Sequence, residues 1–292
     1  MVAKSADTHE GGGTDDILDD DKKPVTKLGE TLSKAKQTEQ KEKAVKAKEE
    51  FEKINENRDN IFFFGTGKHL WKFSVNKRAW SKVVIEESST WKGMIKHHSV
   101  VALIEQQRII MTGGVNVITS APLAQVFDFT LKNIRSGSKS SMKNMQHKRY
   151  GHQSVFMKDR IIVFGGFGHR DEPGEPPLTL CTCESLSLGN NYWDSISPMN
   201  ITRAFFSACV MAEQYVYVFG GLSDYNILNS IEKYDTITDT WISLYFKMPM
   251  PLAKLGTCSM PDKKTIFIFG GMSADYEPCH HVFKLDLAMA TF

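Results

Sequence analysis

Long apolar runs are missing from this sequence. No eighteen consecutive apolar residues occur anywhere in the chain, so the composition predicts no membrane-spanning helix and no membrane partner. The opening residues, MVAKSADTHEGGGTDDILDDDKK, lack the apolar core of a secretory signal, and Val2 stands where N-myristoylation requires glycine. These absences predict a soluble protein of the cytoplasm.

Cysteine content and net charge are also low. The 292 residues include 5 cysteines and carry a formal net charge of +2. An odd number of cysteines without a secretory signal predicts reduced thiols rather than a disulfide framework. Residues 1–60 carry 12 Lys/Arg against 15 Asp/Glu, and the remainder carries 24 against 19. Such small imbalances do not predict nucleic acid as a partner.

The composition changes near residue 60. A Gly/Asp-rich start is followed by TLSKAKQTEQKEKAVKAKEEFEKINEN, whose residue types and Glu/Lys spacing favour a helix. Its apolar positions do not hold a heptad through three turns, so residues 1–60 are predicted to be a solvated, partly helical tail, with a coiled-coil partner helix as the alternative. From Ile61 onwards, aromatic and β-branched residues occur in short runs broken by Gly and Pro, which predicts strands over residues 61–292.

One short pattern recurs along the second region. RIIMTGG, RIIVFGG, YVYVFGG and TIFIFGG each end in a glycine pair, and NIFFFGTG carries Gly65 and Gly67. The first glycines stand at 65, 113, 165, 220 and 270, which gives steps of 48, 52, 55 and 50. A period near fifty is that of a four-stranded propeller blade. The glycines predicted to be structural are Gly113, Gly114, Gly165, Gly166, Gly220, Gly221, Gly270 and Gly271.

Other landmarks keep the same period. A basic residue occurs 16 or 17 residues before three of the glycine pairs, each time four residues after a methionine: Met145 and Arg149, Met199 and Arg203, and Met250 and Lys254. The segments VFDF, EKYD and FKLD place Asp128, Asp235 and Asp286 downstream of the glycines. A tryptophan follows at Trp80, Trp193 and Trp241.

Taken together, these elements resemble the kelch repeat over about residues 61–292. The resemblance implies an all-β propeller in which each repeat is one blade, with the glycine pair closing the second strand and the tryptophan beginning the fourth. Glycine can take a positive φ and lets backbones approach closely. A tryptophan ring is suited to cover such a bare position between neighbouring sheets. All these positions are therefore predicted to be structural.

The repeats at both ends depart from the pattern. Sixteen residues before Gly65 lies Glu49, inside the charged tail, so blade one has no recognisable first strand. Blade two lacks its tryptophan, and Thr291 and Phe292 stand where that of blade five is expected. Eighteen strands are predicted, which fits either a truncated propeller or an unusual five-bladed one. An open ring would expose strand edges and lower the stability.

Few residues suggest chemistry. Cys181-x-Cys183 and Cys279-His280-His281 do not have the spacing of a zinc site, and no carboxylate or nucleophile recurs with His97, His98 or His152. No metal, no cofactor and no catalytic residue is therefore predicted. The alternative that the resemblance leaves open is a kelch-propeller enzyme of the sugar mutarotase or oxidase type.

A basic, serine-containing stretch lies between the second and third repeats. Residues 132–149 contain six Lys/Arg and no acid, with Ser136, Ser138, Ser140 and Ser141 between them. Its composition predicts a solvated loop open to phosphorylation, and RNA binding is the weaker alternative, because no aromatic residue precedes Tyr150.

The loops that follow the glycine pairs are the predicted contact surface. Strand direction alternates in a blade, so these loops and the connections between blades emerge at one face, which would also carry Arg149, Arg203 and Lys254. Binding residues concentrate on loops of rigid scaffolds, and Tyr and Arg are common anchors. The candidate partner-binding residues are His169, Arg170, Tyr225, Asn226, Asp275 and Tyr276; ordinary polar turn residues are the alternative.

The predicted function is a non-catalytic protein-interaction module, a scaffold or adaptor. The kelch resemblance implies scaffolding, cytoskeletal association or ubiquitin-ligase substrate adaptation. The partner is therefore expected to be another protein, either cytoskeletal or part of a larger assembly. No BTB or F-box domain can be recognised in residues 1–60, which disfavours the ligase role.

Overall fold

The computed structural model describes residues 36, 38–46, 48, 60–64, 69–86, 91–131, 134, 142–169 and 176–292. Contacts divide the chain into two units, Met1–Lys53 and Ile54–Phe292. Residues 38–46 of the first unit are helical, and no helix in the described ranges has the length and apolar character needed to cross a membrane. The second unit is built of strands, so the predicted all-β fold behind a partly helical tail is confirmed. The boundary between residues 60 and 61 stays a prediction.

Some predicted positions lie outside the described residues. They include most of residues 132–141, where the fourth strand of blade two and the phosphorylation of the loop were expected. The individual residues concerned are Gly65, Gly67, Ser136, Ser138, Ser140, Ser141 and Arg170.

The strands of the second unit form five antiparallel blades. Blade one has β1 (Asn60–Phe64), β2 (His69–Ser74) and β3 (Ala79–Val84). Blade two has β4 (Ile95–Lys96), β5 (Ser99–Leu103), β6 (Arg108–Thr112), β7 (Val115–Asn116) and β8 (Val126–Thr130). Blade three has β9 (Gln153–Met157), β10 (Arg160–Phe164), β11 (Phe167–Gly168), β12 (Leu178–Thr179), β13 (Cys183–Ser187) and β14 (Tyr192–Ile196).

The last two blades follow the same plan. Blade four has β15 (Ser207–Met211), β16 (Tyr215–Phe219), β17 (Leu222–Ser223), β18 (Asn226–Ile227), β19 (Ile231–Asp235) and β20 (Thr240–Ser243). Blade five has β21 (Gly256–Ser259), β22 (Thr265–Phe269) and β23 (Val282–Asp286). The short pairs β11–β12 and β17–β18 are hairpins that project beyond the main sheets.

Successive blades pack face to face. The first five- or four-residue strand of each of blades two to five, here called its inner strand, contacts that of the next blade: β5 contacts β9, β9 contacts β15, and β15 contacts β21. Four apolar clusters lie between neighbouring blades, in the order one–two, two–three, three–four and four–five. A single blade cannot bury both of its faces, so the stacking supplies the core, as in other propellers.

An eight-residue segment, here called a lead-in, precedes the inner strand of blades two to five. The lead-ins are residues 91–98, 145–152, 199–206 and 248–255, and their positions are numbered 1 to 8. The position 5 carbonyl accepts a hydrogen bond from the second glycine of the preceding blade, as in Gly114 N to Arg149 O at 2.9 Å. Position 1 is Trp91, Met145, Met199 or Met248, and position 5 is Ile95, Arg149, Arg203 or Leu252.

The first glycine of a pair faces the next lead-in directly. Gly113 has φ of 55°, and a Cβ added there would lie 2.5 Å from Arg149 O and 3.0 Å from Met145 Cε. Gly165 and Gly220 have the same surroundings with respect to the lead-ins that follow them. The left-handed backbone and the close approach both require glycine at this position.

The structure changes the predicted alignment of two landmarks. Gly221 N donates to Leu252 O at 2.8 Å, so position 5 of the last lead-in is Leu252 and not Lys254. Asp235 pairs with Tyr215, the first residue of β16, and Asp286 pairs with Thr265, the first residue of β22. Asp128 instead pairs with Ile110, the third residue of β6. Lys254 had been aligned with Arg149 and Arg203 because all three are basic. The alignment was wrong because an apolar residue can replace the basic one at position 5.

Position 5 arginines form buried ion pairs inside their own blades. Arg149 and Arg203 are fully buried. Arg149 Nη2 lies 2.6 Å from Glu184 Oε1, and Arg203 Nη2 lies 2.9 Å from Glu232 Oε1. Each arginine also donates to the carbonyl of the first glycine of its blade, at 2.6 and 2.8 Å.

The flanking blades replace this ion pair by apolar residues. In each blade, one residue pairs with the strand residue that stands two places before the first glycine. This residue is Glu184 in blade three and Glu232 in blade four, but Phe127 in blade two and Phe283 in blade five. Ile95 packs in one cluster with Phe127, and Leu252 packs in one cluster with Phe283. The same two places are thus occupied by an ion pair in blades three and four and by apolar residues in blades two and five.

The tryptophans of blades three and four bridge to the connection before their own lead-in. Trp193 Nε1 donates to Lys143 O at 2.8 Å, and Trp241 Nε1 donates to Ser197 O at 2.9 Å. The Trp241 ring meets Phe164 of blade three edge to face at 5.5 Å. Trp80 of blade one has 58% of its surface exposed, and its ring is tilted by 47° against that of Phe73 of the same blade, with the centroids 5.1 Å apart.

Candidate interaction surface

One end of the propeller collects the lead-ins and the segments that follow the glycine pairs. Backbone bridges join Tyr150 to Phe167, Ala204 to Leu222 and Ala253 to Met272, so each lead-in lies beside the hairpin of its own blade. We call this end the loop face. It comprises the four lead-ins and residues 115–123, 167–169, 176–180, 222–228 and 272–279.

Position 7 of the lead-ins links four blades through the backbone. Gly151 N donates to His97 O at 2.8 Å, Phe205 N to Gly151 O at 2.7 Å, and Lys254 N to Phe205 O at 2.6 Å. All four residues have a positive φ, between 53° and 61°. These residues stand two places before the inner strands begin. The series of hydrogen bonds therefore runs around the central axis of the propeller, at the end where the inner strands start.

Aromatic and cationic side chains gather at this end of the axis. The His97 ring meets Phe205 at 5.1 Å, Phe205 meets Phe167 at 5.7 Å, and Phe167 meets Tyr150 at 5.3 Å. Lys254 Nζ lies 5.3 Å from the centre of the Phe205 ring. We call His97, Tyr150, Phe167, Phe205 and Lys254 the axial cluster.

The axial cluster is electropositive. Burial lowers the pKa of His97, and the neighbouring charges of Lys96 and Lys254 lower it further. Burial also raises the pKa of Tyr150. At neutral pH the cluster therefore presents the exposed ammonium group of Lys254, with that of Lys96 next to the cluster, beside a neutral imidazole and a neutral phenol.

Two histidines lie behind the cluster at position 8, His98 partly buried and His152 fully buried. Burial, and to a lesser extent the charge of His97, lower the pKa of His98 to about 4. Burial also lowers the pKa of His152, whose Nε2 lies 2.9 Å from Thr112 Oγ1. Blades four and five have Phe206 and Leu255 at this position, so an apolar side chain fits the same place.

Acid is expected to destabilise the fold through these histidines. A histidine with a lowered folded pKa binds protons more readily in the unfolded chain, so stability that is complete above pH 6.5 is lost as the pH falls towards 4. The contribution of His98 amounts to about 2 kcal/mol between pH 7 and pH 5. Urea unfolding at both pH values measures it. His98→Phe should reduce the loss, and an equal loss in that variant would contradict the assignment.

The predicted contact residues lie mainly at hairpin tips. Tyr225 is 81% exposed and Tyr276 is 66% exposed. Asp224, next to Tyr225, accepts a hydrogen bond from Thr179 Oγ1 at 3.0 Å, which ties the hairpin of blade four to that of blade three. His169, Asn226 and Asp275 are also exposed, and Arg170 lies outside the described residues.

The basic residues predicted at this face have different fates. Arg149 and Arg203 are buried and structural, because their guanidinium groups donate hydrogen bonds to buried glutamates and backbone carbonyls. Lys254 is exposed and belongs to the axial cluster. Tyr150, Phe205 and the role of His97 were not predicted from the sequence. The only available signal was aromatic residues directly after position 5, in RYGH and RAFF.

The three buried cysteines, Cys183, Cys209 and Cys279, pack as apolar side chains. Burial raises the pKa of Cys183 to about 12, and its Sγ donates to Cys181 O at 3.3 Å. Cys279 Sγ lies 4.0 Å from Met250 Sδ and 3.8 Å from His281 Nδ1. Within the described ranges, no three His, Cys, Asp or Glu side chains are grouped as a metal site would need.

A cavity of about 250 Å³ opens between blades three and four, near the end opposite the loop face. The lining includes Lys158, Arg160, Tyr234 and Thr236, without a carboxylate among its described residues. Tyr234 donates to Asp239 Oδ1 at 2.6 Å, and burial is the largest cause of its raised pKa. The paired carboxylates that general acid–base catalysis commonly uses are not assembled here.

The fold and repeat define a β-propeller built of kelch-type blades. A family profile described as the KLHDC2/KLHL20/DRC7 Kelch-repeats domain matches residues 53–271. The chain belongs to this family, as the glycine, aspartate and tryptophan pattern predicted.

Curated relatives are distant and longer. Kelch-like protein 38 of Rattus norvegicus is 26% identical over 145 residues, which is 49% of this chain and 24% of that protein. Beta-scruin of Limulus polyphemus is 24% identical over 170 residues, or 58% of this chain and 18% of that protein. Kelch repeat and BTB domain-containing protein 2 of Cowpox virus is 26% identical over 157 residues, or 53% and 26%. The chain thus matches only about a quarter or less of each.

Proposed function

We propose that this chain is a non-catalytic interaction module, a scaffold or adaptor, which binds an acidic segment of a partner protein at its loop face. The axial cluster is the centre of the contact, and the exposed hairpin tips around Tyr225 and Tyr276 form its rim. The predicted cytoskeletal or assembly-forming proteins are the partners to test first.

Strained backbone at position 7 is the observation that carries this proposal. A left-handed backbone costs a residue other than glycine about 1–3 kcal/mol, and blade three avoids this cost with Gly151. His97, Phe205 and Lys254 nevertheless hold side chains at such positions, with φ of 57°, 53° and 54°. Strain of this kind clusters at ligand-binding sites, where the side chain is needed for contact.

The chemistry of the cluster selects the class of partner. Aromatic rings supply contact area at low entropic cost, and they are enriched at protein interfaces. Lys96 and Lys254 add positive charge, which favours a partner with carboxylates and steers its approach. An acidic segment with an apolar residue is complementary to both features.

Lys254→Gly is expected to weaken partner binding and to leave the free energy of unfolding nearly unchanged. Glycine relieves the strained φ but adds unfolded-state entropy, so the free energy of unfolding should change by less than about 1 kcal/mol. Loss of the ammonium group at the centre of the contact should weaken partner binding at least fivefold, or about 1 kcal/mol. Quantitative capture from extract of the source cells, read by mass spectrometry, measures the binding, and urea unfolding measures the stability.

Lys263→Gly is the matched control. Lys263 also has a left-handed backbone, with φ of 59°, but lies in the turn between β21 and β22 at the opposite end of the blade. Its variant should retain the partner. Equal capture by both variants, or no partner present in stoichiometric amount with the unaltered chain, would refute loop-face binding. Tyr225→Ala and Tyr276→Ala test the rim separately.

A further inference from the structure

The wall that blade three contributes to the cavity of about 250 Å³ differs from the same wall in the other blades. Two residues of each blade define this wall, and we call them the wall pair. One is the first residue of β6, β10, β16 or β22, and the other, from β8, β13, β19 or β23, pairs with the third residue of that strand. The wall pairs of blades two to five are Arg108 and Asp128, Arg160 and Ser185, Tyr215 and Lys233, and Thr265 and Lys284.

The wall pairs of blades two and four are satisfied within their own blade. Arg108 Nε and Nη2 donate to the two carboxylate oxygens of Asp128 at 3.1 and 2.5 Å. Lys233 Nζ lies 4.3 Å from the centre of the Tyr215 ring. Blade two therefore shows that a carboxylate fits this place and accepts two N–H groups of the arginine.

Blade three keeps the arginine but has no carboxylate. Ser185 stands where blade two has Asp128, and the Arg160 side chain has no ion pair or hydrogen bond with the described residues. Ser185 is only 3% exposed, and its hydroxyl has no hydrogen-bond partner among those residues. Both side chains line the cavity, and so does Lys158 of the adjoining turn, which is also without an ionic partner in the described ranges. The place that a carboxylate fills in blade two is therefore open in blade three.

The opposite wall, from blade four, is also more polar than its equivalents. The two residues that face the preceding blade are Phe129 and Leu131, Leu186 and Leu188, and Leu285 and Leu287 in blades two, three and five, but Tyr234 and Thr236 in blade four. Both hydroxyl protons are donated, to Asp239 Oδ1 at 2.6 Å and to Gln214 O at 2.8 Å. Asp239 also accepts from the Ser197 amide and hydroxyl. This carboxylate is therefore satisfied by groups other than Lys158 and Arg160.

Size and lining together select the kind of ligand. The volume lies just below the roughly 300–1,000 Å³ of pockets for drug-sized ligands, which favours a small molecule. Met157, Ile162 and Ile196 supply an apolar part of the lining beside the two cations. A carboxylate accepts two N–H groups of an arginine in one plane, as Asp128 does in blade two. Apolar surface next to such a site favours an acid with a short hydrocarbon body.

We propose that the cavity between blades three and four binds a small organic carboxylate. The carboxylate lies between the guanidinium group of Arg160 and the hydroxyl of Ser185, with Lys158 as a second cation, and the hydrocarbon body packs on the apolar part of the lining. The cavity opens near the end opposite the loop face, so this proposal does not rest on partner binding there.

Three acids of different size and shape serve as probes: butanoate, hexanoate and benzoate. Their binding to the full chain is measured by saturation-transfer NMR at constant ionic strength, up to tens of millimolar. At least one acid should bind saturably, with a dissociation constant on the order of 1 mM, because the ligand has few atoms. The neutral amide of that acid should bind at least tenfold more weakly, since it lacks the charge that pairs with Arg160.

Arg160→Gln tests the location of the acid. Arg160 is exposed and its side chain has no partner in the described ranges, so the variant should unfold at the same urea concentration as the unaltered chain. It should bind the acid at least tenfold more weakly. Lys264→Gln is the matched control, because it removes an exposed cation from the turn between β21 and β22. This control should bind the acid normally.

Ser185→Asp tests the comparison with blade two. It reproduces the Arg108–Asp128 pair next to Arg160, so the new carboxylate occupies the place of the ligand. The variant should fold with a urea midpoint no lower than that of the unaltered chain, and it should no longer bind the acid. Adding Arg160→Gln should then lower the midpoint, because it leaves the introduced carboxylate without its cation.

Several results would overturn the proposal. They are no saturable binding of any of the three acids, equal binding of acid and amide, equal binding to Arg160→Gln, or a lowered urea midpoint of Ser185→Asp. Inorganic phosphate is tested in the same way, and tighter binding of phosphate than of every acid would show that the site takes a phosphoryl group instead. Loop-face binding is unaffected by any of these results, since it is tested by Lys254→Gly with the native partner.

Discussion

Arg203→Leu is expected to destabilise the propeller by about 3–5 kcal/mol, because it leaves the buried carboxylate of Glu232 without its cation. Glu232 would keep only the backbone amides of Asn200 and Ile201, at 2.8 and 3.2 Å, as donors. The substitution also removes hydrogen bonds to Gly220 O and Ser230 O. Against a usual total stability of about 5–15 kcal/mol, this loss brings the chain close to unfolding. Urea unfolding measures it.

The apolar version of the same contact in blade five supplies the control. Arg203→Leu combined with Glu232→Phe reproduces the Leu252 and Phe283 pair and removes both buried charges. Replacing a buried ion pair by apolar residues of similar volume is often neutral or stabilising. The double variant should therefore recover at least half of the lost stability. A double variant as unstable as the single one would show that the blade four pair has a role that apolar packing cannot replace.

Gly220→Ala is expected to cost at least about 3 kcal/mol, and Gly270→Ala only about 1 kcal/mol. Both glycines have a left-handed backbone, with φ of 59° and 65°. A Cβ at Gly220 would also collide with Leu252 O and lie 2.7 Å from Met248 Cε, while at Gly270 it meets no atom of the described residues within 4 Å. The difference between the two variants isolates the free-energy cost of pushing a lead-in away from the blade before it.

Thermal and urea unfolding of the two glycine variants measure this difference directly. Equal losses would mean that backbone conformation alone requires these glycines and that the lead-in adjusts without cost. A larger loss for Gly270→Ala would contradict the contrast between Gly220, which faces a lead-in closely, and Gly270, which faces none in the described residues.

Much of the fold was predictable because the glycine pairs recur at a regular distance. The pairs at Gly165 and Gly220 close strands of five residues that are buried on both faces, and such runs of β-branched and aromatic residues have few other uses. The alignment at Lys254 was wrong for a physical reason. Position 5 tolerates either an arginine with a buried glutamate or a leucine with a phenylalanine, so residue type does not mark it.

The candidate site was harder to predict. Tyr225 and Tyr276 are exposed because they lie in polar turns. Such turns can be recognised in the sequence, so the exposure of these two tyrosines could be predicted. The axial cluster depends on a left-handed φ at His97, Phe205 and Lys254, and on tertiary contacts that join lead-ins far apart in the chain. Neither feature leaves a mark in local composition, because all three residue types are ordinary in strands and loops.

The division of contacts between blades bears on how such a chain is assembled over evolutionary time. The Arg149–Glu184 and Arg203–Glu232 pairs lie wholly within one repeat, whereas each lead-in of blades three to five is held on the blade before it largely by backbone hydrogen bonds and close contacts at glycines. Backbone atoms are the same in every repeat. A repeat copied, deleted or exchanged by recombination just ahead of position 1 therefore carries its ion pair with it and still docks on whichever blade precedes it.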